Sequence, residues 1–124
     1  MSDIQVGDSA TLEFVVGPED TAVALGSGDV DVLATPRGIA WVEAATCAAV
    51  AERLEPGETT VGVRVVVDHV KPSRVDDTVV VTAVVALTER RRCVFDVALV
   101  NLDGSTALFG VIDRMVVDKA EFGG

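Results

Sequence analysis

Three residues in this chain have types and settings that invite chemistry. Glu43 is the only charged residue between Gly38 and Ala51, a stretch otherwise apolar or small. On a helical wheel Pro36, Ile39, Ala40, Cys47, Val50 and Leu54 fall on its side. A lone ionised carboxylate in such a stripe costs roughly several kcal/mol unless it is paired, hydrated or protonated. Perturbed groups cluster at functional sites, which favours a working acid over a structural carboxylate held by an amide or a basic partner. His69, the one histidine, shares strand parity with Val61, Val63, Val65 and Val67, so its ring is expected on the apolar face that packs on the helix. A lone histidine there is most often a hydrogen-bonded core or edge residue. Its position at a strand end, where sites gather, points to proton transfer, for which an unperturbed pKa of about 6.5 is suited. If both residues face the gap between sheet and helix, they share one pocket.

Thr35, the third, stands before Pro36 at the start of the helix, where a threonine is a good N-cap. The same place offers unpaired amides at Gly38 and its neighbours that could hold an oxyanion, and a glycine lets a carbonyl approach the backbone. Arg90, Arg91 and Arg92, with Lys71 and Arg74, are the main local cations. They suit either the phosphates of a nucleotide-bearing group or an ordinary solvated hairpin. Arg114 lies among apolar residues in VIDRMVV and is expected to pair with a carboxylate. Cys47, one turn past Glu43, lines a pocket or fills the core. The sequence carries no P-loop, no dinucleotide-binding glycine motif and no metal-ligand cluster.

The elements that must position these residues follow from the pattern. Residues 11–16 read as a short strand and residues 17–34 as a long connection with a short helical turn. The helix runs from Thr35 to about Leu54, ends before Pro56–Gly57, and is apolar enough to be buried all round. Four strand-like stretches follow, at residues 60–69, 75–89, 93–102 and 105–117, the last two joined by the turn-forming pair Asp103–Gly104. Residues 79–86 are small or apolar on both parities, so both faces of that strand are expected to be covered. The order predicts one α+β domain over residues 1–124, a curved antiparallel sheet wrapped around one long helix. Such a sheet leaves an edge and an outer face open, which predicts at least a homodimer.

Composition narrows the function. The chain is 49% hydrophobic, enough for a core, and its apolar content is mostly valine with few aromatics, which suits strands. A net charge of −10 argues against nucleic acid or an anionic membrane surface as partner. The N-terminal residues MSDIQVGDSA do not read as a secretory signal, no apolar run is long enough to span a bilayer, and the two cysteines form no disulfide framework. A reducing cytoplasm is the expected setting.

Spacing completes the reading. Thr35 is followed by Glu43 after eight residues and by His69 after twenty-six more. With LEPGE at residues 54–58, Gly62, D-T-V-V-V from Asp77, F-D-V-A from Phe95, D-G-S-T-A-L-F-G from Asp103 and R-M-V-V from Arg114, the chain resembles the hotdog-fold thioesterases, most closely the fluoroacetyl-CoA thioesterase type. The resemblance spans nearly the whole chain and is specific for the three-residue spacing. It implies Thr35, Glu43 and His69 as catalytic residues, with Gly62 helping to bind the thioester carbonyl. Gly38, Arg91 and Arg114 complete the expected substrate-binding set. The resemblance also implies a dimer or dimer of dimers with sites near the subunit boundary, coenzyme A as part of the substrate, and no metal or separate cofactor. The fluoroacetyl-CoA enzyme carries a longer lid with phenylalanines before its threonine. Residues 20–34 here hold no aromatic, which implies a different, larger or unhindered, acyl group.

The expected reaction is hydrolysis of a small or medium acyl-CoA thioester. Glu43 attacks the carbonyl or activates water, Thr35 is an alternative nucleophile, and His69 moves protons. The competing readings are a non-catalytic acyl-CoA-binding or sensing protein, and an enoyl-CoA hydratase, whose close aspartate–histidine pattern on a helix is missing here.

Overall fold

A computed structural model describes residues 3–123. Strand β1 (Ser9–Val15) leads through a 3-10 turn (Pro18–Asp20) and the single helical turn α1 (Ala22–Leu25) to the long helix α2 (Thr35–Val50), which tightens into a 3-10 turn (Ala51–Arg53). Strands β2 (Glu58–His69), β3 (Thr78–Glu89), β4 (Arg92–Asn101) and β5 (Thr106–Asp118) follow, and a short α3 (Lys119–Phe122) closes the chain. The five strands form one antiparallel sheet in the order β1-β3-β4-β5-β2.

The core lies between α2 and the inner face of the sheet. Val79, Val81, Ala83 and Val85 of β3, Phe95, Val97 and Leu99 of β4, and Leu108, Ile112 and Val116 of β5 meet Val42, Ala45 and Val50 of α2. Trp41 extends this layer to β1 by stacking on Phe14, ring centroids 4.6 Å apart and planes 2° from parallel. The opposite parity of β3 is not covered as expected: Val84 is 40% exposed, because nothing in one chain lies over the outer face.

Helix α2 is likewise not buried all round. Gly38, Trp41, Val42, Ala45, Thr46 and Val50 are buried, while Ala40, Cys47 and Ala48 are exposed. The sheet wraps one side only, and on the stripe that carries Glu43 the residues Ala40 and Cys47 stay exposed.

The expected parity of β2 also needs correction. A bulge between Gly62 and Arg64 takes Val63 out of the pairing with β5. One extra residue resets which side chains face inward. Thr60 and Gly62 pair with Val116 and Arg114, and Val65, Val67 and His69 pair with Ile112, Gly110 and Leu108, so all five stand opposite the inward-facing parity of β5. His69 therefore faces the helix side, together with Thr60 and Gly62 rather than with Val61 and Val63. Gly110 makes the pairing possible, since a Cβ there would lie 2.0 Å from the Val66 carbonyl oxygen. β2 is an edge strand of twelve residues on which Val63 and Val66 are more than half exposed.

Residues 17–34 are folded and tied down. The Asp20 carboxylate accepts from the Gly17 amide (2.9 Å) and faces Arg37 Nε (2.9 Å), and its carbonyl accepts from the Ala34 amide (2.9 Å). Among the described residues no helix is long and apolar enough to cross a membrane.

Candidate active site

The start of α2 and the end of β2 bring Thr35 and His69 together. Thr35 is the first residue of the helix proper; the cap position belongs to Ala34, whose extended backbone feeds the helix. The expected capping role of Thr35 is thus not taken up, and its hydroxyl is free for another partner. That partner is His69, with Thr35 Oγ1 2.6 Å from Nδ1. Backbone bonds from the Val70 and Lys71 amides to the Ala107 carbonyl fix the strand end behind the ring. Burial lowers the His69 pKa below its ordinary 6.5, and the Lys71 backbone pulls more weakly the other way. The ring is then neutral at pH 7. With the proton on Nε2, Nδ1 accepts from the threonine hydroxyl. Nε2 itself is buried and has no hydrogen-bond partner.

Glu43 lies elsewhere. Eight residues along α2 from Thr35 is an axial rise of about 12 Å, and no bond joins Glu43 to His69 among the described residues. The expected single pocket holding both is not found within one chain. Nor is the carboxylate unpaired: Arg114 Nη1 donates to Glu43 Oε2 at 3.1 Å. Arg114, whose side chain is only 8% exposed, is held from behind by Thr60, its Nε donating to the threonine hydroxyl at 2.9 Å and Nη2 to the threonine carbonyl at 3.0 Å. A Cβ on Gly62 would sit 2.9 Å from Glu43 Oε2 and 3.4 Å from Arg114 Nη1, so the missing side chain makes room for this ion pair.

The family model of FlK, the fluoroacetyl-CoA-specific thioesterase, matches residues 16–120. This chain belongs to that family. The FlK-type chain superposes on FlK itself with a TM-score of 0.90 at 29% identity, over 97% of this chain and 93% of FlK. A phenylalanine-to-alanine mutant of FlK in complex with fluoroacetate and CoA matches at a TM-score of 0.87 and 29% identity, over 97% of this chain and all of that one. A thioesterase superfamily member from Thermus thermophilus gives 0.89 at 28% identity, over 98% and 89% of the two chains. No curated protein sequence matches significantly. The FlK-type chain is therefore a hotdog-fold thioester hydrolase.

Two of the expected binding residues have other engagements in this family member. The Gly38 amide donates to the Ala34 carbonyl at 3.0 Å and is not an open helix-end donor. Gly38 is buried, and a Cβ would come within 3.1 Å of Leu108, so its smallness serves the packing of α2 on the sheet. Arg91 Nη1 donates to the Val116 carbonyl at 3.3 Å and lies 3.8 Å from Glu58, although the side chain stays half exposed. Arg92 is committed to Asp113, through Nε at 3.0 Å and Nη2 at 2.8 Å.

Two open cavities adjoin these groups. One of about 230 Å³ is lined by Val32, His69, Val70, Lys71 and Pro72. Another of about 510 Å³ is lined by the exposed Cys47 of the helix, by Ala51 and Leu54 just past its end, and by Thr60 of β2. Sequence reasoning passed over Thr60, since a threonine in a strand carries no signal of its own. It also passed over Gly110, where a glycine inside a strand does signal close backbone approach.

Proposed function

We propose that this chain hydrolyses a small or medium acyl-CoA thioester at a site built jointly by two copies, with Thr35, His69 and Glu43 as its working residues. The observation that carries the reading is the 2.6 Å contact between Thr35 Oγ1 and His69 Nδ1, a hydroxyl presented to a neutral imidazole.

In this mechanism His69 Nδ1 takes the hydroxyl proton as Thr35 Oγ1 attacks the thioester carbonyl carbon. The tetrahedral intermediate expels the CoA thiolate, which receives the proton from the imidazolium. Water then attacks the threonyl ester, its proton going to a base that returns it to Thr35 Oγ1 as the carboxylic acid leaves and the hydroxyl is restored. Glu43, held by Arg114, is the group placed to orient or deprotonate that water. Gly62, on the strand beside it, is assigned to help bind the carbonyl.

One carbonyl cannot touch His69 and Glu43 of the same chain across about 12 Å of helix. A two-fold dimer removes the difficulty, because in an isologous interface the Glu43 end of one copy can face the Thr35 end of the other, twice over. The exposed Ala40 and Cys47 on either side of Glu43 and the long, apolar edge of β2 are surfaces that such a dimer would cover. The acyl group is expected to meet aliphatic rather than aromatic walls, since residues 20–34 present Val23, Leu25 and Val30. The coenzyme A phosphates are assigned to the half-exposed Arg91 and its neighbour Arg90. Two free thiols, Cys47 and Cys93, fit a reducing cytoplasm.

The test is a thiol-release screen over acyl-CoAs from acetyl to long-chain and aromatic, including fluoroacetyl-CoA. The expected result is turnover of small or medium unfluorinated acyl groups that Thr35→Ala and His69→Ala abolish without changing the melting temperature. A screen blank at every chain length, or full activity in both variants, contradicts the reading.

A further inference from the structure

We infer that Thr60 is a positioning residue for the reaction, acting on Glu43 through Arg114; the inference rests on the assignment of Glu43 above. A surface arginine would swing among several rotamers and hold a carboxylate loosely. Arg114 does not have that freedom. It rises from β5 directly beside β2, is nearly buried, and has two of its three nitrogens bound to one residue, Nε to the Thr60 hydroxyl and Nη2 to the Thr60 carbonyl. Only Nη1 is left to reach outward, and it meets Glu43 Oε2 at 3.1 Å.

The surroundings make the direction of this aim matter. Glu43 is 35% exposed and sits between the exposed Ala40 and Cys47, so little else in the chain holds its head in place. The bond that orients its carboxylate comes from across the gap, from Arg114. Thr60 itself is only 7% exposed, at the mouth of the cavity between α2 and β2. The main-chain half of the clamp survives any side-chain change, while the hydroxyl half is specific to threonine or serine. Valine has nearly the same shape and cannot accept the Nε bond, so Thr60→Val releases one arm of the clamp and little else.

The experiment compares Thr60→Val and Thr60→Ser in the parent chain and in a Glu43→Gln background, measuring kcat and KM with the fastest-cleaved acyl-CoA of the screen. The expected result in the parent chain is a fall in kcat of about 10-fold for Thr60→Val, the loss that removal of one hydrogen bond to a charged group brings. KM should hold and Thr60→Ser should restore the rate. In the Glu43→Gln background Thr60→Val should cost almost nothing more, because the residue acts through a group already removed. An equal loss from Thr60→Val in both backgrounds, or a loss that Thr60→Ser does not repair, would overturn the inference while leaving the role of Glu43 intact. Full activity in Glu43→Gln itself would overturn the assignment of Glu43 and this inference with it.

Discussion

The start and the middle of helix α2 solve different problems. At its start a neutral hydroxyl meets an imidazole whose charged form is disfavoured by burial, and one hydrogen bond between side chains makes the group. Two turns on, a carboxylate meets a guanidinium that is itself fixed by two further bonds and admitted by a glycine. In the proposed mechanism the first place moves a proton and the second holds a charge in position. Neither is a complete hydrolytic site, and the about 12 Å of helix between them forbids a single small substrate group from using both in one chain. The difference teaches that the three residues, equally prominent in the sequence, are partners in function only if copies of the chain share them.

The strongest way to break this comparison is to remove the proton-moving group. His69→Ala should lower kcat by about 10²–10⁴-fold, the usual contribution of a positioned general base, with the fold retained in a thermal melt. A loss smaller than that from Glu43→Gln would reverse the assigned roles. Gly62→Ala probes the other place with a smaller effect. The new methyl would press on Glu43 Oε2, the far end of a flexible side chain, so the melting temperature should barely move. Displacement of the carboxylate by part of an ångström should still slow turnover about 10- to 100-fold. An unchanged rate would mean that the position of Glu43 is unimportant.

Acidity gives the gentlest test. In the proposed mechanism the working form of His69 is neutral, and its pKa lies below 6.5, so kcat/KM should stay level through pH 7 and fall only below about pH 6.5, by up to about tenfold per unit. The same shift has a sign for stability: protons bind the unfolded imidazole more readily, so the fold loses stability as pH drops through 6.5 toward the lower native value. An acid limb above pH 6.5 would contradict the burial of the ring.

Much of this was legible in the sequence. The long helix, the succession of strands along the chain and the Thr35–Glu43–His69 spacing could be read directly, and the arginine embedded in VIDRMVV pointed to a carboxylate partner, which the structure identifies as Glu43. The pairing of β2 with β5 rather than with its chain neighbour β3 could not, since a crossover leaves no local mark. What escaped reading had physical causes. A bulge at Gly62–Arg64 depends on register against β5, so the parity that placed His69 beside Val61 and Val63 was broken by a feature that no local pattern announces. The all-apolar helix implied burial on every side, but alanine and cysteine are small enough to stay exposed, as Ala40, Cys47 and Ala48 do. Thr35 satisfied the preferences of a cap, and only the geometry shows its hydroxyl turned to His69. Gly38 suggested an open amide, whereas the helix had already begun early enough to bond it.

The shared site can be tested by mixing. Thr35→Ala and Glu43→Gln chains, each nearly inactive alone, are unfolded, combined in equal amounts and refolded, and thiol release is measured while mass spectrometry confirms that subunits have exchanged. If each site takes Thr35 from one copy and Glu43 from the other, half of the dimers are mixed and each of these carries one intact site, so activity should return to about a quarter of the parent value. A mixture that exchanges subunits yet stays as inactive as its components would contradict the account.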